Sequence, residues 1–107
     1  MHKNIDIKSF YQKANSEPLI ILDVRDTDEY EMEHVPNAVN IPLDALPKHT
    51  AALNDDETYY VICKTGKRAE KACEYLSEHG FNAIRVEDGT QSWPGQLEHS
   101  NDFTVLL

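Results

Sequence analysis

The chain has 107 residues, 40% of them hydrophobic and 27% charged, a content that suits one compact domain over residues 1–107 and leaves little room for a second core. A formal net charge of −9 argues against nucleic acid as a partner, because phosphate binding needs a basic stripe that releases counterions. No stretch reaches the length of a bilayer-spanning helix, and the opening "MHKNIDIKSF" lacks the basic region and apolar run of a secretory signal. The expectation is a cytoplasmic chain without membrane contact, whose two cysteines stay reduced.

Taken in chain order, Ile5–Ile7 reads as an edge strand and Lys8–Ala14 as a helix. "LIILDV", Leu19–Val24, is a continuous apolar run and a predicted strand, followed by a predicted helix over Thr27–Glu33. Ala38–Ile41 ("AVNI") is a weaker strand signal, and Leu43–Leu53 a predicted helix. "TYYVIC", Thr58–Cys63, is the next strand, Lys67–His79 a helix stopped by Gly80, and Ala83–Val86 the last strand. Apolar runs of this length fit parallel strands covered on both faces, although periodicity alone leaves buried helix open. Strands alternating with helices imply an α/β sheet.

In open α/β sheets, ligands bind outside the carboxyl ends of the strands, which is where Cys63 falls if "TYYVIC" feeds the following helix. The loop "CKTGKR" adds chemistry: Gly66 allows close backbone approach, and successive N–H groups at a helix start converge on an anion. Lys64, Lys67 and Arg68 favour the thiolate over the thiol. Residues 63–71 hold four Lys or Arg against the single acid Glu70, while the rest of the chain holds six against eighteen. A basic spot on an acidic chain points to an anionic ligand. The competing reading is a cysteine buried at a strand end with no chemistry at all.

Cys73 differs from Cys63 in pattern. Ala69, Ala72, Cys73 and Leu76 share one helix face at core spacing, so Cys73 is read as core. Helical rise of about 1.5 Å per residue carries Cys73 too far from Lys67 for a disulfide to Cys63, whose Cα atoms would need to lie within roughly 7 Å.

These residues resemble the single-domain rhodanese-like sulfurtransferases. The resemblance covers about Leu19 to Trp93 and rests on "LDVRDTDEYEMEHVPNAVNIPL", then "CKTGKRA" as the active loop, then "VEDGTQSW". It implies a five-stranded, mainly parallel sheet with helices on both faces, and a persulfide carried on Cys63 between a sulfur donor and an acceptor. The site expected from it and from the loop is Cys63 as nucleophile, with Lys64, Thr65, Gly66, Lys67 and Arg68 binding the substrate. The expected partners are a small anionic donor such as thiosulfate, a thiol or cyanide acceptor, and a protein as a further potential acceptor. No cofactor is needed.

Several elements of the resemblance read as structural. Asp23 and Arg25 form a pair with a structural part, His34 is a hydrogen-bonded anchor, Trp93 belongs to the core and Gly89 to a turn. Glu33, Asn37 and Asp88 stand where the family usually has glycine, and Lys64 where it often has arginine; Asn37 tolerates positive φ. No Cys/His spacing resembles a zinc site, and no metal is expected. Phe103, Val105, Leu106 and Leu107 are expected to pack locally. Two other classes stay open: a cysteine phosphatase or arsenate reductase, whose phosphatase form needs five residues between Cys and Arg where this loop has four, and a non-catalytic module of the same fold.

Overall fold

The computed structural model describes residues 2–99; the apolar C-terminal residues Phe103 to Leu107 lie outside the described residues. The chain starts with a three-residue strand, β1 (Lys3–Ile5), and turns at once into α1 (Ile7–Ser16). Asp6 sets that boundary. Its carboxylate accepts the Ser9 N–H at 2.6 Å, satisfying a donor that the helix cannot satisfy itself. The expected edge strand at Ile5–Ile7 is therefore displaced two residues toward the N-terminus, and Ile7 is helical.

β2 (Ile20–Asp23) and α2 (Thr27–Met32) follow. The start of α2 is a reciprocal capping box, with the Asp26 carboxylate accepting the Glu29 N–H and the Glu29 carboxylate accepting the Asp26 N–H at 3.1 Å. β3 is only Val39–Asn40. The helix expected over Leu43–Leu53 is broken into a 3₁₀ turn (Leu43–Ala45), a four-residue α3 (Leu46–His49) and a second 3₁₀ turn (Thr50–Ala52). Pro47 accounts for the break, since it has no N–H to donate to the preceding turn and is tolerated only where a helix begins. β4 (Thr58–Ile62), α4 (Lys67–Glu78) and β5 (Asn82–Val86) complete the order, and α4 closes with the Phe81 N–H donating to the Leu76 carbonyl at 2.9 Å.

The five strands form one sheet in the order β1-β5-β4-β2-β3, and every pairing is parallel. Alternation along the strands sends side chains to two cores. Tyr59, Val61 and Cys63 on β4 and just beyond it join Leu22 and Val24 beneath α4 and Leu46 of α3. Tyr60 and Ile62 join Ile21 and Val86 beneath Phe10 of α1, with Tyr30 of α2 packed against them. Helices thus cover both faces, α1 and α2 on one and α3 and α4 on the other.

The structural readings at the β2 end are observed. Asp23 is fully buried and receives Arg25 Nε and Nη2 at 3.0 and 2.7 Å, and Arg25 Nη2 also donates to the Glu33 carbonyl at 2.7 Å. Both carboxylate oxygens of the buried Asp23 are thereby matched, as burial requires. His34 is buried, its Nδ1 lies 2.8 Å from the Tyr30 carbonyl, and its backbone exchanges two hydrogen bonds with Glu98. Glu33 has extended backbone and needs no glycine, while Asn37 and Asp88 take φ of 71° and 65°. Trp93 is half-buried, packed edge-on against Phe10 and Tyr11.

Candidate active site

β4 is the central strand, flanked by β5 and β2, and Cys63 stands at its carboxyl end where the chain leaves the sheet. The three residues Lys64, Thr65 and Gly66 return the chain to the start of α4. Gly66 makes the return with φ of 99°, a conformation that side-chain-bearing residues avoid. Its N–H then points at Cys63 Sγ, 3.1 Å away. A second donor, the Ala69 N–H, reaches the same sulfur at 3.3 Å. Ala69 lies in the first turn of α4, where an N–H has no intrahelical acceptor, so the sulfur takes a bond the helix leaves open. The helix dipole adds to the same effect, favouring negative charge at that point.

The far side of the loop is held by the segment after β5. The Thr90 N–H donates to the Cys63 carbonyl at 2.8 Å and the Gln91 N–H to the Lys64 carbonyl at 3.2 Å. Gly89 lets these backbones meet, because a Cβ there would overlap both the Cys63 and Lys64 carbonyl oxygens. Below Gly66, Arg85 Nη1 donates to the Gly66 carbonyl at 3.4 Å, and Arg85 Nε is held by Asn4 and Glu70 at 3.0 and 3.1 Å. The sulfur sits deep in this frame, with Cys63 only 1% exposed.

The expected site residues separate into two groups. Cys63, Gly66 and the backbone around them converge. The side chains of Lys64, Thr65 and Lys67 stay exposed at the mouth. Arg68 is turned aside: its two terminal nitrogens meet the two carboxylate oxygens of Glu29 at 2.7 and 3.2 Å, with both side chains one-third exposed. The hydrogen bond from Arg68 holds the Glu29 carboxyl below its usual range, burial opposing, and the same bond pushes the Arg68 guanidinium up. Both cysteines are free, and the buried Cys73 thiol is pushed up to about 12, chiefly by desolvation and next by the nearby Glu70 charge. Among the described residues, no three His, Cys, Asp or Glu side chains are grouped as a metal ion would need, and no helix is long and apolar enough to cross a membrane.

Sequence reasoning missed Glu29, Ala69 and Arg85 as parts of the site. The Ala69 donor was open to discovery, because the first three N–H groups of any predicted helix are unclaimed. Glu29 lies 39 residues from Arg68 along the chain, and nothing local signals the pair.

The Rhodanese-like domain profile matches residues 6–96. YtwF of Bacillus subtilis, whose sulfurtransferase name is provisional, is 33% identical over 100 residues, covering 92% of this chain and 97% of its own. YrkF of the same organism, with a provisional name as a sulfur carrier protein, is 41% identical over 96 residues, 88% of this chain, but the chain spans only 52% of its length. The crystal structure of a rhodanese-like domain protein from Staphylococcus aureus superposes with a TM-score of 0.86 at 37% identity, covering 92% of this chain and 99% of that one. With a profile match across most of its length and relatives of that identity, the chain belongs to the rhodanese-like domain family.

Proposed function

We propose that the protein is a sulfurtransferase that carries a sulfane sulfur as a persulfide on Cys63. The observation that carries the reading is the convergence of the Gly66 and Ala69 N–H groups on one buried sulfur at 3.1 and 3.3 Å. Two preset donors in a water-poor pocket stabilise negative charge on that sulfur, or on a second sulfur bonded to it, at no reorganisation cost. The provisional names of YtwF and YrkF point the same way.

With thiosulfate as the donor, the Cys63 thiolate attacks the outer sulfur. The new Cys63 S–S bond forms as the donor's S–S bond breaks, and sulfite leaves with the bonding pair as a dianion. The persulfide keeps the single negative charge that the thiolate brought. An acceptor thiolate or cyanide then attacks the terminal sulfur, forming a new persulfide or thiocyanate and restoring the Cys63 thiolate. Lys64 and Lys67 attract the anionic donor at the mouth, Arg68 is held by Glu29 beside them, and the backbone of Thr65 and Gly66 shapes the pocket. Because Cys63 is 1% exposed, a donor enters with a single sulfur atom leading. A phosphoryl group, with three peripheral oxygens, needs a wider ring of donors and a guanidinium free to fork onto it; the engagement of Arg68 by Glu29 weighs against that chemistry.

The test is thiocyanate formation from thiosulfate and cyanide. Wild type and Cys73→Ser turn over, whereas Cys63→Ser does not. Turnover that survives in Cys63→Ser, or equal loss in a folded Cys73→Ser, would sink the assignment.

A further inference from the structure

The loop is basic along the sequence, but in space one of its cations is paired with a carboxylate from α2. Of its cations, Arg68 offers the forked guanidinium best suited to an oxyanion, and Glu29 already occupies both terminal nitrogens at 2.7 and 3.2 Å. Glu29 is itself fixed from the other side, since one of its oxygens also accepts the Asp26 N–H at 3.1 Å in the capping box of α2. Its carboxylate therefore holds one position at the mouth. Asp26 adds a further negative charge within reach of the Arg68 guanidinium, and Asp28 lies in the same first turn of α2. Among the described residues, the loop cations left without such a partner are Lys64 and Lys67, both exposed.

We propose that Glu29 is a specificity-determining residue, which by engaging Arg68 disfavours dianionic sulfur donors and directs the site toward donors with one negative charge, the class of hydropersulfides and thiosulfonates. The inference rests on the sulfurtransferase reading of Cys63 and deepens it. A donor of charge −2 loses more than one of charge −1 from a carboxylate at the mouth and gains more from an unpaired guanidinium. The chemistry is the same in both cases. The thiolate takes the outer sulfur of an arenethiosulfonate, and the arenesulfinate leaves as a monoanion.

Thiosulfate and benzenethiosulfonate form the probe pair, since each presents an outer sulfur on a sulfonyl group and they differ in charge. The readout is the ratio of kcat/KM for thiosulfate to that for benzenethiosulfonate. Glu29→Gln keeps an acceptor at the N3 position of the capping box while removing the charge, and thermal melting checks its fold. The expected ratio rises about three- to tenfold in Glu29→Gln and falls by a similar factor in Arg68→Ala, the range for one partly exposed charge. Most of that change is expected in KM. In the double variant Glu29→Gln with Arg68→Ala, the ratio returns to near its wild-type value, because both charges are gone. If the double variant instead tracks Arg68→Ala, Arg68 binds the donor directly and the proposal fails. A ratio that does not move in Glu29→Gln, both donors changing together, also overturns it and leaves the Cys63 reading intact. Wild-type protein that takes sulfur from neither donor overturns both readings together.

Discussion

Cys63 and Cys73 sit in the same core cluster with 1% and 0% exposure, yet the backbone around them differs. Cys73 belongs to the buried face of α4, and burial drives its thiol up to about 12. Cys63 lies ten residues earlier, and its sulfur accepts two backbone N–H groups. Burial alone does not separate a core thiol from a nucleophile. What sets Cys63 apart is that a strand end, one glycine and an unclaimed helix turn together aim two N–H donors at its sulfur.

The contrast is broken most directly by alkylation. A thiol at about 12 instead of its ordinary 9.0 has roughly a thousandth of the usual thiolate at neutral pH. In folded protein, iodoacetamide is expected to modify Cys63 and leave Cys73 untouched, with peptide mapping as the measurement. Equal labelling of both would erase the distinction.

Gly89→Ala sharpens it from the Cys63 side. A Cβ at this position overlaps the Cys63 and Lys64 carbonyls, so the loop has to move, and displacement of catalytic groups on the order of 1 Å costs about a hundredfold in rate. Thiocyanate formation is expected to drop by about that factor, while Cys73 stays protected from alkylation. Activity within a few-fold of wild type would mean that the Thr90 and Gln91 clamp does not hold the loop.

The smallest effect concerns Cys73 and pH. In the unfolded chain its thiol ionises near 9.0, in the folded chain only near 12. Between those values the unfolded state binds fewer protons than the folded state, so stability falls as pH rises. Melting curves of wild type are therefore expected to lose more stability across this alkaline window than those of Cys73→Ala. Parallel losses would place the Cys73 thiol in a more polar setting.

How much of this was legible in the sequence depended on whether the cause was local. "TYYVIC" announced the central strand because both of its faces are buried, and Ala69, Ala72, Cys73 and Leu76 announced the buried face of α4. β1 was misplaced because it is an edge strand with Lys3 and Asn4 exposed, carrying no apolar run to mark it. The Asp6 cap that displaced it was in view, as was the Pro47 that broke the long helix after β3. At the site, Cys63 and Gly66 were legible from a strand running into a basic glycine loop. The pairing of Arg68 was not, since charge counted along the chain cannot register a carboxylate brought in from α2 by the sheet order.

The central claim is that Cys63, and not Cys73, carries transferable sulfur, and intact-mass measurement after brief incubation with thiosulfate or benzenethiosulfonate tests it most directly. Wild type and Cys73→Ser are predicted to gain the mass of one sulfur atom, lost again on adding cyanide, and Cys63→Ser to gain none. A wild-type protein that gains no sulfur from either donor, or a Cys63→Ser variant that gains it, would contradict the account.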